Sequence, residues 1–272
     1  MPSWTSWLNV TPDRGKNSLD MSIHPTAIIE DGVQLGAGCV IHAYAVVKKQ
    51  SVLADGVVIH SFAVIGDTPQ FLKFDPTTVS GVKIGAGTVV REHATINRSI
   101  HNGQFTTIGA RCFIMANVHV GHDSVVADDV VMANNVMLAG HVTVGRHTFL
   151  GGGAGFHQFC RVGEGAVVSG LSRIAQDIPP FAMAAERNEI IGLNLIGLKR
   201  RNFSREAIRE IKDAFRTVYF TPGNIREVAK ATLEGGVFTT GEARQFLAFF
   251  SEGKRGFARA RREAPADEND GV

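Results

Sequence analysis

Every sixth residue along most of this chain is Ile, Leu or Val. From Ile23 the six-residue blocks read IHPTAI, IEDGVQ, LGAGCV and onward to Gln70; they resume at Ile84 and run to Pro179, with only Asn102, Met132 and Phe156 opening a block differently. A period of six fits neither an amphipathic helix nor a lone strand, and repeats of this length signal a parallel β-helix. Three blocks close one triangular coil of eighteen residues. Blocks eighteen apart therefore stack on one face, about 4.8 Å apart as adjacent strands are, and their leading aliphatics fill a continuous apolar column.

Other positions of the block agree. The second is often glycine, as at Gly36, Gly85, Gly121 and Gly163, where tight corners need room. The fifth is small or β-branched, and Cys39, Cys112 and Cys160 all fall on it. That shared register makes them interior fillers rather than metal ligands or a redox pair. Residues 71–83 interrupt the rhythm and read as a loop extruded from one corner, the kind of segment that carries binding groups on a rigid scaffold. The blocks around Asn102, which lack their aliphatic, mark a second irregular edge.

The β-helix is expected over residues 21–185 and ends near Pro179-Pro180, where the second proline cannot donate to a ladder. Helical spacing follows over residues 186–260. Ser204 can cap a helix running through Ile208, Ile211, Phe215 and Val218; Asn224 starts another and Thr240 a third. The expected fold is thus mainly β, a left-handed parallel β-helix of hexapeptide repeats with a C-terminal α-helical cap domain that shields the last coil's open edge. Residues 1–20 match no block and read as a disordered extension, with Met21 standing just before the repeats; residues 261–272 read as a disordered acidic tail. No stretch is apolar enough to span a membrane. The net charge of +2 is too slight to argue for nucleic acid, and no nucleic-acid partner is expected; nothing implies export, so the expected compartment is cytoplasmic. Basic residues gather at Lys199-Arg200-Arg201 and at Lys254, Arg255, Arg259, Arg261 and Arg262, suited to a phosphate group or an acidic protein.

The histidines carry the chemistry. His122, His141 and His157 lie in the blocks that begin at 120, 138 and 156, which stack on one face, so the three should gather near one corner with His119, Asp123 and Gln158. Imidazoles beside a carboxylate offer a general base near neutral pH. Three readings stand at this point: exposed polar turns, a zinc site with three imidazole ligands and an open position, or metal-free acyl transfer in which a histidine deprotonates a hydroxyl attacking a thioester.

The runs NVHVGHDSVVADDVVMANNVMLAGHVTVG, FHQFCRVG, AQDIPPF and GLNLIGLKRRNFSREAI resemble the UDP-N-acetylglucosamine O-acyltransferases that begin lipid A biosynthesis, over residues 21–260. GLKRRNFSREAI lies outside the generic repeat that many sugar acetyltransferases share. The resemblance implies transfer of a 3-hydroxyacyl chain from acyl carrier protein to the 3-hydroxyl of UDP-N-acetylglucosamine, with no cofactor, no metal and a homotrimeric assembly. It implies His122 as general base supported by Asp123, and Gly140 as oxyanion donor through its amide. His119, His141, His157 and Gln158 match residues lining the acceptor sugar, and Lys73 a lysine of the extruded loop. Asn194, Arg200 and Arg201 match nucleotide and phosphate contacts, and Gly170 the end of the acyl groove. Three positions depart from the pattern: Phe71 replaces an aspartate, Asn97 a histidine and Ile196 a glutamate. These leave a 3-amino analogue of the sugar nucleotide as an alternative acceptor. A carbonic-anhydrase-like zinc enzyme and a non-catalytic sugar-nucleotide-binding module are the alternatives of other classes.

Overall fold

Short strands, most of two residues, wind into three sheets of eleven, eight and seven strands. The computed structural model describes residues 21–261; the terminal segments 1–20 and 262–272, Arg262 included, lie outside them. Within the prism every neighbouring pair runs parallel, and the usual step is eighteen residues, as Val40 beside Val58 and Val131 beside Phe149. The architecture is the left-handed β-helix expected from the repeat. Each coil turns its block-leading residue inward: Ile41, Ile59, Val90, Ile114, Met132, Leu150 and Val168 are all buried in one column. Each such burial contributes about 1.5–3 kcal/mol, so the column is the main source of stability. Met132 and Phe156 fill it in place of aliphatics, and the three free cysteines are buried along it.

Two segments leave the prism, both at the edge between the eight- and seven-stranded sheets. The first spans residues 68–80, between the strands Val64–Asp67 and Gly81–Ile84. The expected bounds of 71–83 run too late, because Gly81–Lys83 are already paired with Phe105–Thr107. The second is a correction of substance. Ile84 pairs with Ile108 rather than with residue 102, so six residues beyond the usual step are inserted, and residues 98–104 loop out of the column between the strands Thr95–Asn97 and Phe105–Ile108. An insertion of six residues preserves the phase of a six-residue repeat, and the rhythm therefore hides it. The two excursions hold each other: Asn102 Oδ1 accepts from Val79 N–H at 2.9 Å, and Gly103 N–H donates to Val79 O at 2.8 Å.

The eleven-stranded sheet continues past the double proline. Ala182–Ala185 adds a parallel strand, Glu189–Leu193 returns antiparallel to it, and Arg259–Ala260 joins from the end of the described chain. Residues 186–260 thus begin and end in strand, and Arg261, expected in the tail, pairs with Glu189 at 2.8 Å. Between them lie four helices: α1 (Leu195–Arg200), α2 (Arg205–Phe220), α3 (Ile225–Glu234) and α4 (Gly241–Ala248). Ser204, Asn224 and Thr240 cap α2, α3 and α4 as their positions predict. The helices enclose Phe246, Phe250 and Phe257. Arg161 ties this cap to the prism, its guanidinium donating to Phe249 O at 2.9 Å and to the buried Asp177 at 2.8 Å. Among the described residues no helix is long and apolar enough to cross a membrane.

Candidate active site

The edge that expels both loops also carries the histidines. After strand His119–Val120 the chain turns at His122 and Asp123; one coil later it turns at Gly140 and His141, and one coil further at Gln158 and Phe159. Asp123, His141 and Phe159 share a left-handed backbone, with φ of 59°, 60° and 66°, a conformation that Asp and His adopt more readily than most residues. Because the coils repeat, these turns stack, and the side chains meet although they are far apart in sequence.

His122 is buried, at 6% exposure, and its Nδ1 lies 2.7 Å from Asp123 Oδ2. Asp123 is fixed in turn. Ser99 Oγ donates to Oδ1, Ile100 N–H donates to Oδ2 at 3.2 Å, and Asp123 N–H donates to Thr106 Oγ1 at 2.8 Å. Burial pushes this carboxyl upward, but the hydrogen bonds from His122, Ser99 and Ile100, with His141 close by, overcome it and hold it at about 2. The aspartate is therefore ionised and acceptor-only at neutral pH. The hydrogen between the two residues sits on His122 Nδ1, leaving Nε2 as the nitrogen able to take a proton.

Gly140 lies against that second nitrogen. A Cβ on it would come 2.5 Å from His122 Cε1 and 2.6 Å from Nε2, so only glycine leaves the imidazole its place. The Gly140 N–H meets no acceptor among the described residues. His141 stands edge-on to His122, ring centroids 5.0 Å apart, with Nε2 3.9 Å from Asp123 Oδ2. Burial holds the His141 imidazole below its ordinary value. His119 points out from its strand, its Nδ1 2.8 Å from Thr95 Oγ1, and burial lowers it too. Phe71, from the first loop, tilts over His122 at 5.9 Å, and Lys73 is exposed two residues on.

Not every expected residue joins this corner. His157 and Gln158 are exposed, and the His157 ring lies 3.3 Å from Gln158 O. The ring stacked on His141, at 4.6 Å, is Phe159. A zinc site built from His122, His141 and His157 is thus not what the geometry assembles; the only group of three potential ligands within reach of one another, among the described residues, is His101, Asp123 and His141. Gly170 turns at the edge between the eleven- and eight-stranded sheets, where its missing side chain leaves Gly152 O 3.1 Å from a Cβ position. Asn194 and Arg201 lie near the third edge. Asn194 caps α1 and donates to Gly165 O at 2.9 Å; Arg201 pairs with Glu164 and lies 4.9 Å over Phe203. Arg200 is exposed beside them. Within one protomer these groups do not face His122. Ser99, which holds Asp123, is a site residue that the repeat does not point to, since the looped-out residues 98–104 show no periodicity of their own; the missing aliphatic at Asn102 is the available signal.

Comparison with known proteins agrees with this fold. A family described as Udp N-acetylglucosamine O-acyltransferase, Domain 2, matches residues 177–258, and the bacterial transferase hexapeptide family (six repeats) matches residues 105–140. The chain is 45% identical over 254 residues to the acyl-[acyl-carrier-protein]–UDP-N-acetylglucosamine O-acyltransferase of Campylobacter jejuni subsp. doylei, covering 86% of this chain and 95% of that one. Its structure resembles that of a UDP-N-acetylglucosamine acyltransferase from Campylobacter jejuni, with a TM-score of 0.77, 37% identity and coverage of 88% and 100%. It also resembles the Francisella novicida enzyme, with a TM-score of 0.76, 29% identity and coverage of 89% and 93%. The chain belongs to the acyl-[acyl-carrier-protein]–UDP-N-acetylglucosamine O-acyltransferase family.

Proposed function

We propose that the His122 corner transfers a 3-hydroxyacyl chain from acyl carrier protein to the 3-hydroxyl of UDP-N-acetylglucosamine, the first step of lipid A biosynthesis. The observation that carries this is the His122–Asp123–Gly140 arrangement: a base with one nitrogen anchored at 2.7 Å and the other left open beside a donor-only amide. His122 Nε2 takes the hydroxyl proton as the sugar oxygen attacks the thioester carbonyl. The carbonyl oxygen becomes an oxyanion, and the unpaired Gly140 N–H is a donor suited to it. As the tetrahedral centre collapses, the carbon–sulfur bond breaks, and His122 returns the proton to the departing thiolate. Asp123 supports the imidazolium between these events. A thioester is already activated, so the step needs no cofactor. His119, His141, His157, Gln158 and Lys73 surround the acceptor sugar in this reading.

The assembly is a homotrimer. Arg200, Arg201 and Asn194 lie at a different edge from His122, so a diphosphate held by them reaches the sugar site only between subunits. The outward residues of the eleven-stranded sheet, including Val58, Val89, Phe113, Val131, Phe149 and Val167, form a half-exposed apolar stripe that a neighbouring prism would cover. Gly170 then borders the acyl chain rather than the sugar. Lys254, whose Nζ lies 5.2 Å from the Phe159 ring, puts a positive charge beside the corner, and with Arg255 and Arg259 it gives the acidic carrier protein a landing surface. Carrier protein and sugar nucleotide meet in the cytoplasm, where we place the reaction.

A 3-amino acceptor is the second reading, favoured by one observation: an apolar ring, Phe71, covers His122 where relatives of the resembled pattern hold an aspartate. The retained base favours the hydroxyl, since an amine needs less help from one. Competition between the two sugar nucleotides, with 3-hydroxyacyl-carrier protein and acetyl-CoA tested side by side as donors, separates the possibilities. The hydroxyl sugar and the carrier-protein donor are expected to win. A preference of about 100-fold for the amine, roughly 2.7 kcal/mol at the transition state, would overturn the acceptor assignment; better use of acetyl-CoA would overturn the donor.

A further inference from the structure

Acyl transfer leaves one imidazole at this corner without a task. His101 rides on the looped-out segment 98–104, is exposed, and makes no side-chain hydrogen bond among the described residues. Its ring lies 6.1 Å from that of His141, and one ligand atom from each of His101, Asp123 and His141 falls within 4.8 Å of the others. We propose that His101, Asp123 and His141 form a binding site for a zinc-class divalent ion whose occupancy switches the acyl-transfer site off.

Two imidazoles and one carboxylate suit zinc and its neighbours in the transition series rather than magnesium or calcium, which prefer oxygen. Tetrahedral bonds of about 2.0–2.1 Å set ligand atoms about 3.4 Å apart, leaving the fourth position to water. The set, whose atoms lie within 4.8 Å of one another, must therefore close by at most about 1.4 Å, a movement that the exposed and unbonded His101 ring is placed to supply. The other two ligands are already oriented. Ser99 Oγ and Ile100 N–H hold the carboxylate, and Phe159 stacks on His141 at 4.6 Å; groups behind a ligand aim it in this way. The block that carries His101 also supplies Ser99 and Ile100, so one insertion brings both a ligand and the support for another.

Inhibition follows from shared atoms, and this half of the proposal rests on the function proposed above. Asp123 Oδ2 is the acceptor for His122 Nδ1. An ion on that oxygen competes with His122 for its anchor, and a double positive charge beside the ring opposes the imidazolium that catalysis requires. His141 is withdrawn from the sugar at the same time.

The test titrates chelator-treated full-length protein with Zn²⁺ against a chromophoric competitor, for wild type and for His101→Ala, with circular dichroism confirming the fold of both. One ion per protomer is expected, bound at least about tenfold more weakly by the variant, as a lost ligand should cost no less than a lost second-layer partner. In the acyl-transfer assay Zn²⁺ should inhibit the wild type, a chelator should restore it, and His101→Ala should keep its zinc-free turnover while needing about tenfold more zinc for half-inhibition. Equal zinc affinity in the two proteins would overturn the site. Zinc binding that depends on His101 yet leaves turnover intact would overturn the inhibition. If zinc binding depends on His101 but no acylated sugar forms in any condition, the site stands and the proposed activity is what fails.

Discussion

Gly140 does its work by lacking a side chain. Its Cα faces His122 so closely that a methyl group would sit 2.5 Å from Cε1, so Gly140→Ala must turn the imidazole away from its position. Turnover is expected to fall by about 100-fold, the scale of an ångström of misplacement in a reacting group, while the melting temperature changes little because the site lies at a corner and not in the column. An unchanged turnover would show that His122 need not stand where it does. His141→Ala tests a different role. It should raise KM for the sugar nucleotide about tenfold, as the loss of one good hydrogen bond does, with a smaller effect on kcat; steady-state kinetics separate the two. The stacked turns of this corner are legible in the amino-acid sequence, because His122, Gly140 and Gln158 recur at a fixed step and stacking follows from the period, although Phe159 rather than Gln158 is the side chain that meets His141. Ser99 and His101 are not, since a loop has no period to read and its place is set by the bonds between Asn102 and Val79 and between Ser99 and Asp123. Neither is the separation of Arg201 and Asn194 from His122, which depends on which prism edge the chain has reached.

At the scale of elements, the repeat specifies where strands lie but not how many blocks belong to the prism. The six-residue insertion keeps the phase; the missing aliphatic at Asn102 marks an irregular edge, and the pairing of Ile84 with Ile108 shows that residues there leave the column. The helical cap is readable through its N-caps; the six-residue α1 escapes because so short a helix offers too few turns for an apolar stripe. Its packing depends on one buried carboxylate. Glu210 accepts from Thr240 N–H at 2.8 Å and Thr240 Oγ1 at 2.7 Å, and from Thr239 N–H at 3.0 Å, so α2 anchors the start of α4. The Thr240 amide first, then its hydroxyl and Thr239, hold this carboxyl at about 2 against the opposing effect of burial. A depressed carboxyl stabilises the fold fully above its unfolded value near 4.5 and ceases to do so as pH falls through about 2. Between those limits the wild type should lose stability on acidification, and Glu210→Gln, already weakened at pH 7, should lose less. Thermal melts from pH 5 to pH 2 check this; parallel losses in the two proteins would contradict it.

At the scale of the whole molecule, the proposed trimer would account for two features of the prism, its apolar outer stripe and the placing of Asn194 and Arg201 at a different edge from His122. Light scattering at micromolar concentration should return three times the protomer mass, and a monomer would contradict the shared site. Transfer from the carrier protein should weaken with added salt, since exposed charges such as Lys254 and Arg259 act over a screened distance of about 10 Å at 0.1 M; a salt-independent KM for the donor would remove the basic landing surface. The most direct test of the central claim is a single reaction. Purified protein, 3-hydroxyacyl-carrier protein and UDP-N-acetylglucosamine are mixed, and the acylated sugar nucleotide is followed by mass spectrometry for wild type and for His122→Ala of the same oligomeric mass. The account predicts ester product from the wild type and turnover lower by about 10²–10⁴-fold in the variant. Near-normal turnover by His122→Ala would contradict it.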